Sequence, residues 1–173
     1  MKTIAFRQLA TLRHKYGPGI FGKITQKLLA LAFEEVGFRV VERGVQGADI
    51  EVERAGSGEK YVLEVKTTDA EAFPVSKRNI VALEERANDG YVPLIAALRM
   101  QLFEDWIIAR IPRGQLRPGT LPLSKLRAYR MRELEGLICP RFEAVVNQQF
   151  SAVLSGGERH LIRILDGRKT ASP

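Results

Sequence analysis

The sequence lacks the residues and segments that several classes of protein require. Its 173 residues include one cysteine, Cys139, so no disulfide can form within the chain and a reducing compartment is expected. No apolar run approaches the ~20 residues of a membrane span, and the N-terminus has no apolar segment typical of a signal peptide. We therefore expect a cytoplasmic protein that does not associate with a membrane.

Histidine is scarce, and phosphate-binding signatures are missing. The two histidines, His14 and His160, are isolated in the sequence, so neither is assigned to a zinc site or to catalysis. The segment Gly17-Pro-Gly19 is not followed by the Gly-Lys-Ser/Thr of a phosphate-binding loop. No nucleotide cofactor is therefore expected.

Acidic residues are absent from the first 33 positions, which carry six basic residues. The whole chain has a net charge of +7, so the other 140 residues are close to neutral, with 21 basic and 20 acidic side chains. This asymmetry predicts a polyanionic partner, with an affinity that falls with salt; the alternative is a solvated basic tail. The basic residues of this stretch that are candidates for phosphate contacts are Arg7, Arg13, Lys15, Lys23 and Lys27.

Two runs of alternating apolar residues, 48–54 and 59–68, flank a four-residue turn that contains two glycines. This pattern is typical of a β-hairpin. With the turn at 55–58, Arg54 pairs with Glu59, and this register determines which side chains face each other along both strands.

The predicted register places Asp49 directly across from Glu64, with Cβ atoms about 4.5–5.5 Å apart. Lys66 shares the face of Glu64 because side chains alternate along a strand. Opposed carboxylates on half-buried strands repel each other unless a cation lies between them. The hairpin therefore predicts the site of a divalent-metal hydrolase; the alternative is a solvated strand face.

The other segments predict an α/β fold with a mixed central sheet flanked by helices. The core elements, in chain order, are helices at 3–15 and 23–36, a strand at 38–41, a loop at 44–47, the hairpin, a loop at 67–74, a helix at 77–88 capped by Ser76, and strands at 92–99 and 105–111. A C-terminal extension follows, with a loop at 113–122, helices at 125–135 and 140–154, and a strand at 160–165. The helix at 140–154 is expected to pack on the core, with dimerisation as the alternative.

Three residues of the hairpin form the motif Asp49-x(14)-Glu64-x-Lys66. The hairpin follows a helix that ends in Val36-Gly-Phe and precedes a second helix. This motif in this order of elements resembles the PD-(D/E)XK nuclease superfamily. Within it, the chain is most similar to archaeal-type Holliday junction resolvases, over roughly residues 22–110. The resemblance implies a restriction-endonuclease-like core (αβββαββ) and a single domain with a basic N-terminal segment at 1–21, a catalytic core at 22–111 and an extension at 112–173.

The resemblance also implies chemistry: Mg²⁺-dependent cleavage of branched DNA in recombination and repair, by a homodimer, with Mn²⁺ able to replace Mg²⁺. Asp49 and Glu64 would bind the metal together with the Val65 carbonyl, and Lys66 would orient the attacking water or stabilise the developing charge. Further phosphate contacts are assigned to Thr67, Lys77 and Arg78.

Two positions depart from the resolvase pattern. The proline of the motif is Ala48, which has no chemical role. The glutamate expected in the first core helix is Gln26, whose oxygen would still hold a metal-bound water but whose side chain carries no charge. Two alternatives remain open: a restriction or repair nuclease of the same fold acting on duplex, flap or single-stranded DNA, and a non-catalytic DNA-binding protein.

Overall fold

The computed structural model describes residues 1–42, 47–101 and 104–170; most of the predicted loop at 44–47 lies outside them. The helices are α1 (Thr3–Glu35), α2 (Lys77–Asn88), α3 (Leu123–Ala128), α4 (Arg132–Gly156) and α5 (Glu158–Thr170). The strands are β1 (Phe38–Glu42), β2 (Ile50–Arg54), β3 (Lys60–Thr68), β4 (Ala72–Val75), β5 (Val92–Arg99), β6 (Ile107–Ala109) and β7 (Gly119–Pro122).

A five-stranded mixed sheet forms the centre of the fold, in the order β1-β2-β3-β5-β6. The strand β3 pairs antiparallel with β2 and parallel with β5, while β6 runs antiparallel to β5. The parallel pair is joined by a crossover that contains α2, as parallel strands require. The predicted α/β class with a mixed sheet, flanking helices and C-terminal helices is confirmed.

Each face of the sheet is covered by its own apolar cluster. One cluster joins the sheet to α1, α4 and α5 and contains Trp106, which packs edge-on against Phe142 with ring centroids 5.3 Å apart. The other joins the sheet to α2, α3, β4 and β7 through residues such as Val62, Ile80 and Leu121. Because the charged residues Glu64 and Lys66 share a face with Val62, they lie on the α2 side.

The helix α1 changes direction at Gly17, whose φ of 73° and ψ of 166° are not helical. Glycine adopts this φ without a Cβ clash, and Pro18 is tolerated as the first residue after the kink. The predicted break is therefore confirmed, but the second part resumes at once and not at Lys23. The Tyr16 hydroxyl, next to the kink, donates hydrogen bonds to the Val153 and Leu154 carbonyls of α4, at 2.9 and 2.8 Å.

The segment after β3 differs from the predicted loop at 67–74. The strand β3 continues to Thr68, and β4 pairs antiparallel with β7, with Val75 opposite Gly119. This two-stranded sheet, which we call the wing, is separate from the central sheet in its hydrogen bonding and packs against it through the second apolar cluster. It was missed because neither short strand has an alternating pattern long enough to predict a strand by itself.

The C-terminal extension is more helical than predicted. The helix α4 runs through Gly136 and Pro140, where a helix end and a helix start were predicted. Its buried face, which includes Leu134, Ile138 and Phe142, continues across both residues, and this burial offsets the ~3 kcal/mol cost of a proline within a helix. The expected packing of residues 140–154 on the core is confirmed.

The predicted strand at 160–165 is wrong, because these residues belong to α5. Leu161 and Leu165, both fully buried, are four residues apart and so lie on one helical face.

Cys139 is packed against the Trp106 carbonyl, and burial raises the pKa of its thiol to about 12. Within the described ranges, no helix combines the length and apolarity needed to cross a membrane.

Candidate active site

The carboxylates of Asp49 and Glu64 face each other across the β2–β3 hairpin. The pair Ile50–Leu63 and the hydrogen bond from the Asp49 amide to the Leu63 carbonyl (3.0 Å) extend the ladder to these two residues. The Asp49 Oδ2 also accepts a 2.7 Å hydrogen bond from the Val65 amide. The predicted register is confirmed, and it places both carboxylates just beyond the N-terminal end of β2.

Both carboxyl groups have raised pKa values. Burial raises the pKa of Glu64, which is 2 % exposed, and the negative charge of Asp49 raises it further. Burial also raises the pKa of Asp49, against the lowering effects of the Val65 amide and of the Lys66 and Lys27 ammonium groups. The site thus concentrates negative charge in a place of low solvation, where a bound cation would be stabilised.

Glu64 is held by two donors on the same oxygen. Lys66 Nζ lies 2.5 Å from Glu64 Oε1, and Asn79 Nδ2 donates to that oxygen at 2.6 Å. The predicted Glu-x-Lys pair is therefore present as an ion pair. Since both donors use Oε1, Oε2 is the oxygen directed to neither of them.

Asn79 also caps α2. Its Oδ1 accepts hydrogen bonds from the Ser76 amide and hydroxyl, at 2.9 and 2.7 Å, and the Ser76 hydroxyl accepts one from the Asn79 amide. This reciprocal arrangement is a capping box and confirms Ser76 as the N-cap. Sequence reasoning missed the role of Asn79 at the site, although its position three residues after a serine N-cap was a usable signal.

Gln26 reaches the site through its nitrogen. Its Nε2 donates a 2.6 Å hydrogen bond to the main-chain carbonyl of Asp49. This contact orients the backbone that carries the first carboxylate, whereas the sequence predicted that the Gln26 oxygen would hold a metal-bound water. A glutamate could not make the same bond, because an ionised carboxylate has no hydrogen to donate.

The donors at this site fit a hard divalent cation. Two carboxylates and a backbone carbonyl are oxygen ligands, and Mg²⁺ in proteins is commonly held by one or two carboxylates and several waters. In the part of the chain that the structure describes, His, Cys, Asp and Glu form no cluster of three or more that could hold a metal. The Asp49 and Glu64 carboxylates are ligands of the kind that such a cation takes, and the Val65 carbonyl would add a third oxygen.

The basic residues assigned to DNA from the N-terminal segment are not equivalent. Arg7 and Lys23 are exposed. Arg13 forms a bidentate ion pair with Asp69, Lys27 is 3.0 Å from Glu158, and Lys15 donates to the Leu154 carbonyl. The last three therefore have intramolecular partners.

The other assigned residues lie on β3 and at the start of α2. Lys77 and Arg78 are exposed in the first turn of α2, directly before Asn79. Thr67 is half-buried, with its hydroxyl oxygen 3.7 Å from the point where a Cβ on Gly22 would lie. The start of α2 borders the carboxylate pair through the contact between Asn79 and Glu64.

A comparison with solved structures connects this arrangement to a known fold. The chain is similar to a Holliday junction resolvase from the archaeal hyperthermophile Archaeoglobus fulgidus, with a TM-score of 0.53 and 17% sequence identity. The chain has a nuclease-like fold. The match covers 66% of this chain and 95% of the resolvase, so about a third of this chain has no counterpart there. No family model and no curated protein sequence matches the chain.

Proposed function

We propose that this protein is a Mg²⁺-dependent endonuclease that hydrolyses phosphodiester bonds in branched DNA and acts in recombination and repair. The observation that carries the proposal is the opposed pair Asp49 and Glu64, with the Lys66 ammonium 2.5 Å from Glu64. The nuclease-like fold supports it, because the resolvase that this chain resembles has the same fold. A homodimer, in which each subunit cuts one strand, completes the proposal.

Each residue of the site has a distinct task in this proposal. Asp49, Glu64 and the Val65 carbonyl would hold Mg²⁺, with Mn²⁺ as a substitute. When bound, such a cation supplies an activated water and neutralises charge on the phosphate. Lys66 stabilises negative charge that develops on the phosphate, as an ammonium group fixed beside the reacting atoms can do without reorganising.

The proposal is tested by a cleavage assay with a panel of DNA substrates. Four-way junction, flap, duplex and single-stranded DNA of the same sequences are incubated with the protein and Mg²⁺, Mn²⁺ or EDTA. We expect metal-dependent cleavage with preference for the junction. Cleavage of duplex or flap DNA in preference to the junction would instead favour a restriction or repair nuclease of the same fold, and a lack of cleavage of every substrate would contradict the nuclease proposal.

The role of Gln26 can be tested by two substitutions. We expect Gln26→Ala and Gln26→Glu to slow cleavage to a similar extent, about 10–100-fold, as is typical when a group that orients a metal ligand is removed. The reason is that neither replacement can donate to the Asp49 carbonyl, 2.6 Å from the Gln26 nitrogen. Single-turnover rates decide the matter: a Gln26→Glu rate at or above that of the unaltered protein would show that the oxygen is the functional atom.

Asn79 should act as a positioning residue for Glu64. We expect Asn79→Ala to lower the cleavage rate about 10–100-fold, because it removes one of the two hydrogen bonds that orient this carboxylate. The matched control is Ser76→Ala, which weakens the same helix cap but keeps the contact between Asn79 and Glu64. Both variants should lose about 1 kcal/mol of stability through the cap, so equal cleavage rates in the two would assign Asn79 to capping alone.

A further inference from the structure

A second acid-free stretch lies inside the chain, about a hundred residues after the basic N-terminus in the sequence. Between Asp105 and Glu133 the sequence contains seven basic residues and no acidic residue. The seven residues are Arg110, Arg113, Arg117, Lys125, Arg127, Arg130 and Arg132. A segment of this composition predicts a surface that attracts an anion unless its charges are neutralised within the fold.

Some of these charges are neutralised and others are not. Arg127 is 2.8 Å from Glu104 and Arg130 is 2.8 Å from Glu135, so both are used in ion pairs. Arg113 donates instead to the neutral side chain of Asn88. Arg117 is exposed in the loop just before β7 and forms no ion pair with any residue that the structure describes.

The wing brings Arg117 to the start of α2. In the β4–β7 pairing, Val75 lies opposite Gly119. Arg117 comes two residues before Gly119, and Lys77 comes two residues after Val75. Both residues therefore lie just beyond the same end of the two-stranded ladder. Lys77 and its neighbour Arg78 are exposed and, within the described part of the chain, have no ion-pair partner.

This end of the wing adjoins the candidate active site. Asn79 follows Arg78 in the first turn of α2 and reaches Glu64 Oε1 at 2.6 Å. The three cations therefore lie on the α2 side of the sheet, which is also the side of Glu64 and Lys66. A polyanion bound across them would continue directly into the carboxylate pair.

We propose that Arg117, Lys77 and Arg78 form a phosphate-binding patch, here called the wing patch, that holds the backbone of duplex DNA beside the candidate active site. The proposal rests on the proposed function only in taking DNA as the ligand. The patch offers charge without stacking partners: the large exposed hydrophobic side chains of the described residues are aliphatic and include no aromatic ring. Binding of unstacked bases relies on aromatic rings, so the patch fits a regular duplex backbone.

The expected signature is a change in salt dependence without a change in sequence preference. Each phosphate contact on duplex DNA adds about 0.9 to the slope of log affinity against log salt, so loss of all three contacts should flatten that slope by roughly 2–3 units. The effect should be the same for different duplex sequences, since phosphates carry no base information.

The experiment measures DNA affinity by fluorescence anisotropy across a salt series, in EDTA so that no cleavage occurs. The test variant is Lys77→Gln/Arg78→Gln/Arg117→Gln, and the single variant Arg117→Gln should flatten the slope by about one unit. The control variant, Arg132→Gln/Arg141→Gln/Arg163→Gln, removes the same charge from exposed positions on α4 and α5, on the opposite side of the sheet. Thermal unfolding verifies that the three proteins are folded.

A flattened slope in the test variant and in Arg117→Gln, with an unchanged slope in the control variant, supports the wing patch. Equal slopes in test and control variants would overturn it, as would a selective loss of affinity for single-stranded DNA. These outcomes are separate from the nuclease proposal. Cleavage by the unaltered protein together with an unchanged slope contradicts the wing patch alone, whereas a flattened slope in a protein that cleaves nothing contradicts the nuclease alone.

Discussion

Asp49→Asn and Glu64→Gln should each lower the rate of Mg²⁺-dependent DNA cleavage about a thousandfold or more, which corresponds to about 4 kcal/mol of transition-state stabilisation. Each change replaces an anionic oxygen ligand by a neutral amide in a site that offers two carboxylates. Single-turnover cleavage of a four-way junction at saturating protein measures the effect without a contribution from DNA affinity.

The fold should survive both substitutions. An amide oxygen can still accept the hydrogen bonds from Val65 at position 49 and from Lys66 and Asn79 at position 64. The metal-free protein also loses an unfavourable buried charge, so its thermal unfolding midpoint should not fall. The control is Glu59→Gln, directly after the turn of the same hairpin, which should cleave normally. A normal cleavage rate in Asp49→Asn or Glu64→Gln would contradict the metal site.

Deletion of residues 1–15 should prevent cooperative folding. The first part of α1 buries Ala5, Leu9 and Leu12, each at most 1 % exposed, against the core. Loss of a single buried leucine side chain typically costs 2–5 kcal/mol, and the whole free energy of unfolding of a protein is about 5–15 kcal/mol. Thermal denaturation followed by circular dichroism should show no sharp transition for the truncated chain.

Two positive charges at the start of the chain can be removed while the apolar packing of this helix is kept. The double variant Lys2→Gln/Arg7→Gln changes two exposed side chains and should unfold at the temperature of the unaltered protein. Its salt dependence then measures what these two charges contribute to DNA binding. A truncated chain that unfolds cooperatively near the normal temperature would show that the segment is a solvated tail, the alternative that its composition left open.

The hairpin and its register could be read from the sequence because they depend on local rules. A two-glycine turn determines which residues pair, and alternation then determines that Asp49, Glu64 and Lys66 share one face. The same holds for the Ser76 cap and for the break at Gly17, where the backbone chemistry of single residues is decisive. The buried strand β5 was also predicted from its continuous apolar run.

Other features depended on which surfaces meet in the folded chain. The first part of α1 was predicted as a short basic helix for a polyanionic partner, and only the structure shows that its apolar residues pack in the core beside α4. The helix α4 continues through Gly136 and Pro140 because burial on the core outweighs their local preference. Burial depends on which elements pack together in the folded chain. A sequence pattern predicts that a helix has an apolar face, but it does not predict which element packs against that face.

The sequence by itself determined the mixed α/β fold class, the opposed carboxylates and the ammonium group beside them, because turn chemistry and strand alternation act over short distances. Only the tertiary structure decided that Gln26 reaches Asp49 through its nitrogen, that Asn79 holds Glu64, and that β4 pairs with β7 with Val75 opposite Gly119. Each of these contacts joins residues from different elements, and the packing that joins them is the sum of many weak interactions along the whole chain.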